Sequence, residues 1–169
     1  MRYLVKDVFD LETHWKDIDR FSELSTGDAL AILSESGRIA SEVMAPLNFS
    51  GDSEGCILEN GVVKAPSGFQ EAFKLITDGG WLGFSGNPEF DGQGMPKSLG
   101  CLVEEMFWAA NTSLYLYGTL TVGAAMCIEE HGTLEQKNLY LPRLYSGKWT
   151  GAMAPVSYTH LTLPTIYSV

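Results

Sequence analysis

The sequence predicts an all-α protein, a helical bundle that gives way near its end to the first strand of a second unit. Three observations predict it. Apolar residues recur at three- and four-residue spacing along most of the chain. Two Ser/Thr-x-x-Gln boxes, Ser67…Gln70 and Thr133…Gln136, stand just before such stretches, where a reciprocal cap opens a helix. Strand-length runs of alternating apolar and polar residues are scarce.

The elements follow in order. Leu4, Val5 and Val8 share one face of a short helix over 2–9. Thr26 is placed to cap a helix running to about Ala45, with Asp28 in its first turn. Its stripe is Leu30, Ile32, Leu33, Ile39, Val43 and Met44, and Pro46 is expected to end it. Residues 47–66 hold Asn48, Gly51, Gly55, Asn60-Gly61 and Pro66 and are expected to be loop. A helix from Ser67 to about Thr77 stops at Gly79-Gly80. After a loop over 81–96, Pro96 opens a helix carrying Leu99, Leu102, Val103, Met106 and Phe107. A break is expected at Asn111-Thr112-Ser113, then a helix buried on all sides to about Glu130. The last helix starts at Thr133, is marked by Leu134, Leu139, Tyr140 and Leu144, and closes at Ser146-Gly147. Trp149–Met153 then reads as a strand.

The chain has 169 residues, enough for one domain and the start of another, and 45% are apolar, enough for a core. The net charge of −10 argues against nucleic acid or an anionic membrane surface as a partner. Cys56, Cys101 and Cys127 are widely spaced, with no Cys-x-x-Cys and no His at ligand spacing. They suggest neither zinc nor a disulfide framework, and they read as reduced thiols of a cytoplasmic protein. Asp7 and Asp10 interrupt any apolar leader, so no signal peptide is expected. Residues 106–128 carry no charge, but Asn111, Thr112, Ser113, Thr119 and Thr121 interrupt them. Glu104-Glu105 and Glu129-Glu130 flank them, which is not the pattern of a membrane span.

The candidate chemistry is sparse. Gly83-Phe84-Ser85-Gly86 and Gly92-Gln93-Gly94 lack the order of a dinucleotide fold and the Lys of a phosphate loop. They fit a tight turn between helices. Adjacent carboxylates on a helix diverge by about 100° and form no acid–base dyad. His131 directly follows Glu130, the wrong spacing for a di-iron helix pair. No catalytic residue and no metal ligand is assigned. Tyr115 and Tyr117, with Leu114, Gly118 and Val122, stand out in so apolar a helix. They serve either as core or as the lining of an apolar pocket in which Gly118 leaves volume.

An ordered set of short motifs adds a resemblance. It runs Trp81-Leu82-Gly83-Phe84, Pro88-Glu89-Phe90-Asp91-Gly92-Gln93-Gly94, Glu104-Glu105-Met106, Gly132-Thr133-Leu134-Glu135-Gln136-Lys137, Tyr140-Leu141-Pro142-Arg143-Leu144 and Trp149-Thr150-Gly151. Over nearly all of 1–154 this resembles the N-terminal helical domain of the acyl-CoA dehydrogenases. Met1–Leu4, Phe9-Asp10 and Ala45–Asp52 look like the long bacterial branch, which includes 3-methylmercaptopropionyl-CoA dehydrogenases.

The resemblance implies an FAD enzyme that oxidises an acyl-CoA thioester at Cα–Cβ to the 2-enoyl-CoA, passes its electrons to an electron-transfer acceptor, and forms homo-oligomers when full length. It implies that Leu114, Tyr115, Gly118 and Val122 line the acyl pocket and that Phe90, Gly92 and Gly94 form the substrate-access loop. Asp91 departs from the pattern, standing where the family has a small residue or glycine. Domains are expected at 1–148 (helical) and 149–155 (start of a truncated β domain). Residues 156–169 match a translated transposase-end sequencing adapter and are read as non-native, although Tyr, Thr, Val and Ile there also suit a strand. The missing part would hold the catalytic base and the FAD contacts. An acyl-CoA oxidase fragment and a stand-alone helical interaction module are the alternatives.

Overall fold

A computed structural model describes residues 1–152, and its architecture is mainly α. The α-helices are α1 (Leu11–Lys16), α2 (Thr26–Arg38), α3 (Pro46–Glu54), α4 (Phe69–Asp78), α5 (Lys97–Ala110), α6 (Thr112–His131) and α7 (Leu134–Tyr145). A π-helical turn at Leu4–Val8 precedes α1, and another at Ile39–Met44 links α2 to α3. Strands β1 (Ile57–Glu59) and β2 (Val62–Lys64) form an antiparallel hairpin.

Local chemistry explains each departure from the sequence expectation. The helix over 26–45 begins one residue earlier than expected. Ser25 accepts from the Asp28 amide while the Asp28 carboxylate accepts from the Ser25 amide, a complete box. Thr26 instead donates its amide to Glu12, 2.7 Å away, joining α1 to the start of α2. The Lys16 ammonium, and after it the Thr26 contact, hold the Glu12 carboxyl down at about 2. Pro46 does not end the helical path. It takes the first position of α3, where its missing N–H costs no hydrogen bond. The expected loop over 47–66 thus contains a helix and a hairpin. Asn60 (φ 51°) and Gly61 (φ 79°) turn that hairpin with Leu58 opposite Val63, the geometry an Asn-Gly pair favours. The Ser67 box does not form, because Glu54 accepts both the amide and the hydroxyl of Ser67. Gly68, at φ 81°, stands at the N-cap instead.

Elsewhere the punctuation matches. The Thr133–Gln136 box closes on both sides, and Ser146-Gly147 ends α7 with Gly147 at φ 69°. The inward face of α7 is Leu141, Leu144 and Tyr145. Leu134, Leu139 and Tyr140 of the expected stripe are exposed.

One large core gathers residues from α1 through α6, among them Trp15, Leu33, Met44, Ile76, Leu99 and Phe107. Trp15 donates its indole N–H to Ser98, tying α1 to α5. A smaller core sets Phe90 and Ala125 against Leu141, Leu144 and Tyr145. Helix α6 is not buried on all sides. Leu114, Tyr115, Gly118, Thr121 and Ala125 face inward, while Leu116, Tyr117, Leu120 and Met126 are each nearly half exposed. No helix among the described residues is long and apolar enough to cross a membrane.

Residues 149–152 form no strand. The Gly151 amide donates to Thr121 Oγ1 at 3.1 Å, and the Arg143 guanidinium lies over the Trp149 ring. Among the described residues no neighbouring strand is present to pair with them, and strands need a ladder partner. Residues 153–155 and the adapter-like segment 156–169 lie outside the described residues.

Asn111 joins α5 to α6 and is fully buried. Its carbonyl oxygen accepts from the Leu114 amide and the Ser113 hydroxyl, and its Nδ2 donates to the Met44 carbonyl. Asn111→Ala orphans groups on both sides of the junction, and we expect it to cost about 2–4 kcal/mol. Urea unfolding should show a lower midpoint at unchanged slope.

Candidate functional site

Helix α6 advances 3.6 residues per turn, so Tyr115, Thr119, Val122 and Met126 fall on one stripe. That stripe faces Gly100 and Val103 of α5 across a cavity of about 320 Å³. The loop before α5 closes one side with Trp81, Phe84 and Ser85. Trp81 stacks on Phe84 with ring centroids 5.8 Å apart. Tyr115 meets Trp108 and Phe107 edge to face, at 5.2 Å and 5.4 Å. Lys97 and Glu104, both exposed, stand at the rim, and Lys97 donates to the Met126 sulfur.

Of the four residues expected to line an acyl pocket, Tyr115 and Val122 line this cavity. Leu114 and Gly118 do not. Leu114 is one position, about 100°, from Tyr115 and borders a different cavity of about 500 Å³ with Tyr117, Phe73 and Pro66. Gly118 leaves no volume for a ligand. A Cβ there would lie 2.5 Å from Leu82 Cδ2, so the glycine is filled by Leu82 from the neighbouring loop. Sequence reasoning missed Thr119, Gly123 and Met126, which lie four, eight and eleven positions after Tyr115. Choosing Tyr115 alone as the origin of the stripe would have found them. The contribution of α5 and of Trp81 had no local signal, because it depends on how distant segments pack.

The access-loop residues act mainly on the loop itself. Gly83, Gly86 and Asn87 carbonyls accept from the Gln93, Gly94 and Gly92 amides, and the Phe84 carbonyl accepts from Met95. Gly92 passes so close that a Cβ would sit 2.2 Å from the Gly86 carbonyl carbon. Gly94 takes φ 67° and borders a shallow depression of about 480 Å³ with Ser85, Pro88 and Gln93. Phe90 is buried in the smaller core. Asp91 adopts φ 66°, the left-handed conformation a glycine would supply, and Asp tolerates it better than most side chains. Tyr145 braces the loop from behind, donating its hydroxyl to Glu129 at 2.7 Å. Burial, then the Glu129 carboxylate, push the Tyr145 phenol well above its ordinary value.

The glycine-rich loop does not fit a flavin's pyrophosphate. Its Gly92–Met95 amides are all taken by its own carbonyls, so no bare N–H cradle is left. Among the described residues no cluster of metal-ligating side chains is present.

Burial, with a smaller contribution from Glu104, raises the Tyr115 phenol above its ordinary range, so the cavity holds a neutral hydroxyl. The arrangement can accept a small apolar group and exclude water from it. Among the described residues it offers no nucleophile paired with a base.

The sequence pattern described as "Acyl-CoA dehydrogenase, N-terminal domain" matches residues 58–148. A 3-methylmercaptopropionyl-CoA dehydrogenase of Ruegeria pomeroyi is 37% identical over 155 residues, covering 88% of this chain and 26% of the relative. A butyryl-CoA dehydrogenase of Syntrophomonas wolfei is 27% identical over 165 residues, covering 89% and 26%. The chain spans about a quarter of the length of these curated relatives.

Gly118→Ala tests the packing beside the cavity. Leu82 must move, and we expect a loss of about 1–3 kcal/mol in thermal unfolding. An unchanged midpoint would mean that the space beside Gly118 is open.

Proposed function

Because this chain belongs to the acyl-CoA dehydrogenase family, we propose that it forms one wall of the substrate site in an enzyme that oxidises a short acyl-CoA thioester to the 2-enoyl-CoA. The aromatic-lined cavity between α5 and α6 is the observation that carries this reading. Its volume lies at the small end of ligand sites, which suits a short acyl chain. The relatives named for 3-methylmercaptopropionyl-CoA and butyryl-CoA agree with that size class.

The oxidation removes one hydrogen from Cα and one from Cβ, two electrons in all. FAD, held by residues beyond those described, is the acceptor this reading requires, and the α-proton goes to a base also outside them. The described residues bind and orient. Tyr115, Val122 and Phe84 surround the acyl tail, and the hydrogen-bonded loop over 83–95 keeps Phe84 in place. A dry, rigid wall fixes the Cα–Cβ bond relative to the reacting groups.

The division at 148 belongs to this proposal, with 149–155 leading into a second domain and 156–169 non-native. So do an electron-transfer acceptor, a homo-oligomeric complete enzyme and a cytoplasmic location. The half-exposed Leu116, Tyr117 and Leu120 support the view that α6 is covered in the complete protein.

FAD titration of the purified chain tests the division of labour. We expect no stoichiometric binding and no acyl-CoA oxidation by the chain alone, whereas the complete enzyme reduces its flavin on adding butyryl-CoA. Tight one-to-one binding of FAD by the chain would contradict this reading.

A further inference from the structure

Gly83 and Gly86 of the access loop do not have positive φ, so a left-handed turn does not explain them. Close approach does. A Cβ on Gly83 would lie 2.9 Å from Tyr145 Cβ, and one on Gly86 would lie 2.6 Å from Tyr145 Cζ. The loop thus runs along the length of the ring of Tyr145, the buried last residue of α7. Between the two glycines stand Phe84 and Ser85, which wall the cavity. A Cβ at Gly100 of α5 would meet Ser85 Oγ at 3.1 Å and Phe84 Cδ1 at 3.6 Å, so the loop is held between α5 and the Tyr145 ring. The ring is itself fixed at its far end. Its hydroxyl donates to Glu129 of α6 at 2.7 Å, a length proper to a hydroxyl on a carboxylate.

We propose that Tyr145 is a positioning residue for substrate binding: anchored by Glu129, its ring sets how far Phe84 and Ser85 stand into the cavity and so how tightly the acyl tail is held. The proposal rests on the acyl-CoA reading above. Tyr145 does not line the cavity and acts only through the loop. The loop's own carbonyl–amide bonds fix its shape but not its depth, because they all run within the loop. Depth comes from the ring beneath. Without the bond to Glu129 the ring keeps Leu141 and Leu144 as neighbours, loses its fixed end, and lets the wall move as a unit. A wall out of place by a fraction of an ångström weakens the grip on a short tail.

The test measures kcat and KM for butyryl-CoA, and the inhibition constant of free CoA, on the complete flavin-loaded enzyme. We expect Tyr145→Phe to raise KM about tenfold, the effect of losing a hydrogen bond to a charged group, with kcat held within about twofold. The inhibition constant of free CoA, which carries no acyl tail, should not change. Glu129→Gln keeps an acceptor and should stay within about threefold of the wild-type KM, whereas Glu129→Ala should match Tyr145→Phe. Glu129 is only partly buried, so Glu129→Ala carries the test if Tyr145→Phe does not fold. An unchanged KM in the variants that lose the bond overturns the assignment. So does a KM that rises in step with the inhibition constant of free CoA, the mark of a general loss of structure. A Glu129→Gln defect equal to that of Glu129→Ala also overturns it. A wild-type enzyme that oxidises no short acyl-CoA overturns the acyl-CoA reading itself, and this assignment with it.

Discussion

The α5–α6 junction at Asn111 is the constraint on which the rest of the structure depends. One side chain satisfies the start of α6 and a carbonyl in the π-helical turn that links α2 to α3. The backbone of Asn111 is extended, at φ −160°, so α5 and α6 are separate helices rather than one bent rod. That break turns the Tyr115 stripe back across the Gly100–Val103 face of α5. A continuous helix would carry the two faces apart along one axis, and no cavity would lie between them.

The rotation of α6 then divides its residues among three environments. Leu114, Gly118, Thr121 and Ala125 pack against α4, α7 and the neighbouring loop. Tyr115, Thr119 and Val122 border the cavity, while Leu116 and Leu120 meet solvent. The absence of charge over 106–128 therefore has two causes. Half of it serves the core and the cavity. The rest forms an apolar outer face of the kind that covers a neighbour in larger proteins.

Most of the helical order was legible in the sequence because its signals are local. Asn111 and the Thr133–Gln136 box act within a few residues of themselves, and each appears where the sequence places it. The failures arose where a distant group intervened. Ser67 has the right spacing to cap a helix, but Glu54, thirteen positions away, takes its donors. Pro46 reads as a stop in isolation and serves as a start in context. The site was legible only in part. Tyr115 and Val122 share one stripe of α6, and Leu114 and Gly118 belong to the adjacent one. Choosing between stripes required knowing that Leu82 fills the space beside Gly118, a contact across more than thirty positions that no periodicity encodes.

The central claim is that the acyl tail lies between α5 and α6. Photo-crosslinking of the complete enzyme with a butyryl-sized acyl-CoA bearing a terminal diazirine tests it most directly. The account predicts adducts confined to peptides containing Gly100–Trp108 and Tyr115–Met126, with labelling blocked by excess butyryl-CoA. Adducts on the Pro66–Phe73 segment, or on peptides from outside this helical unit alone, would contradict it.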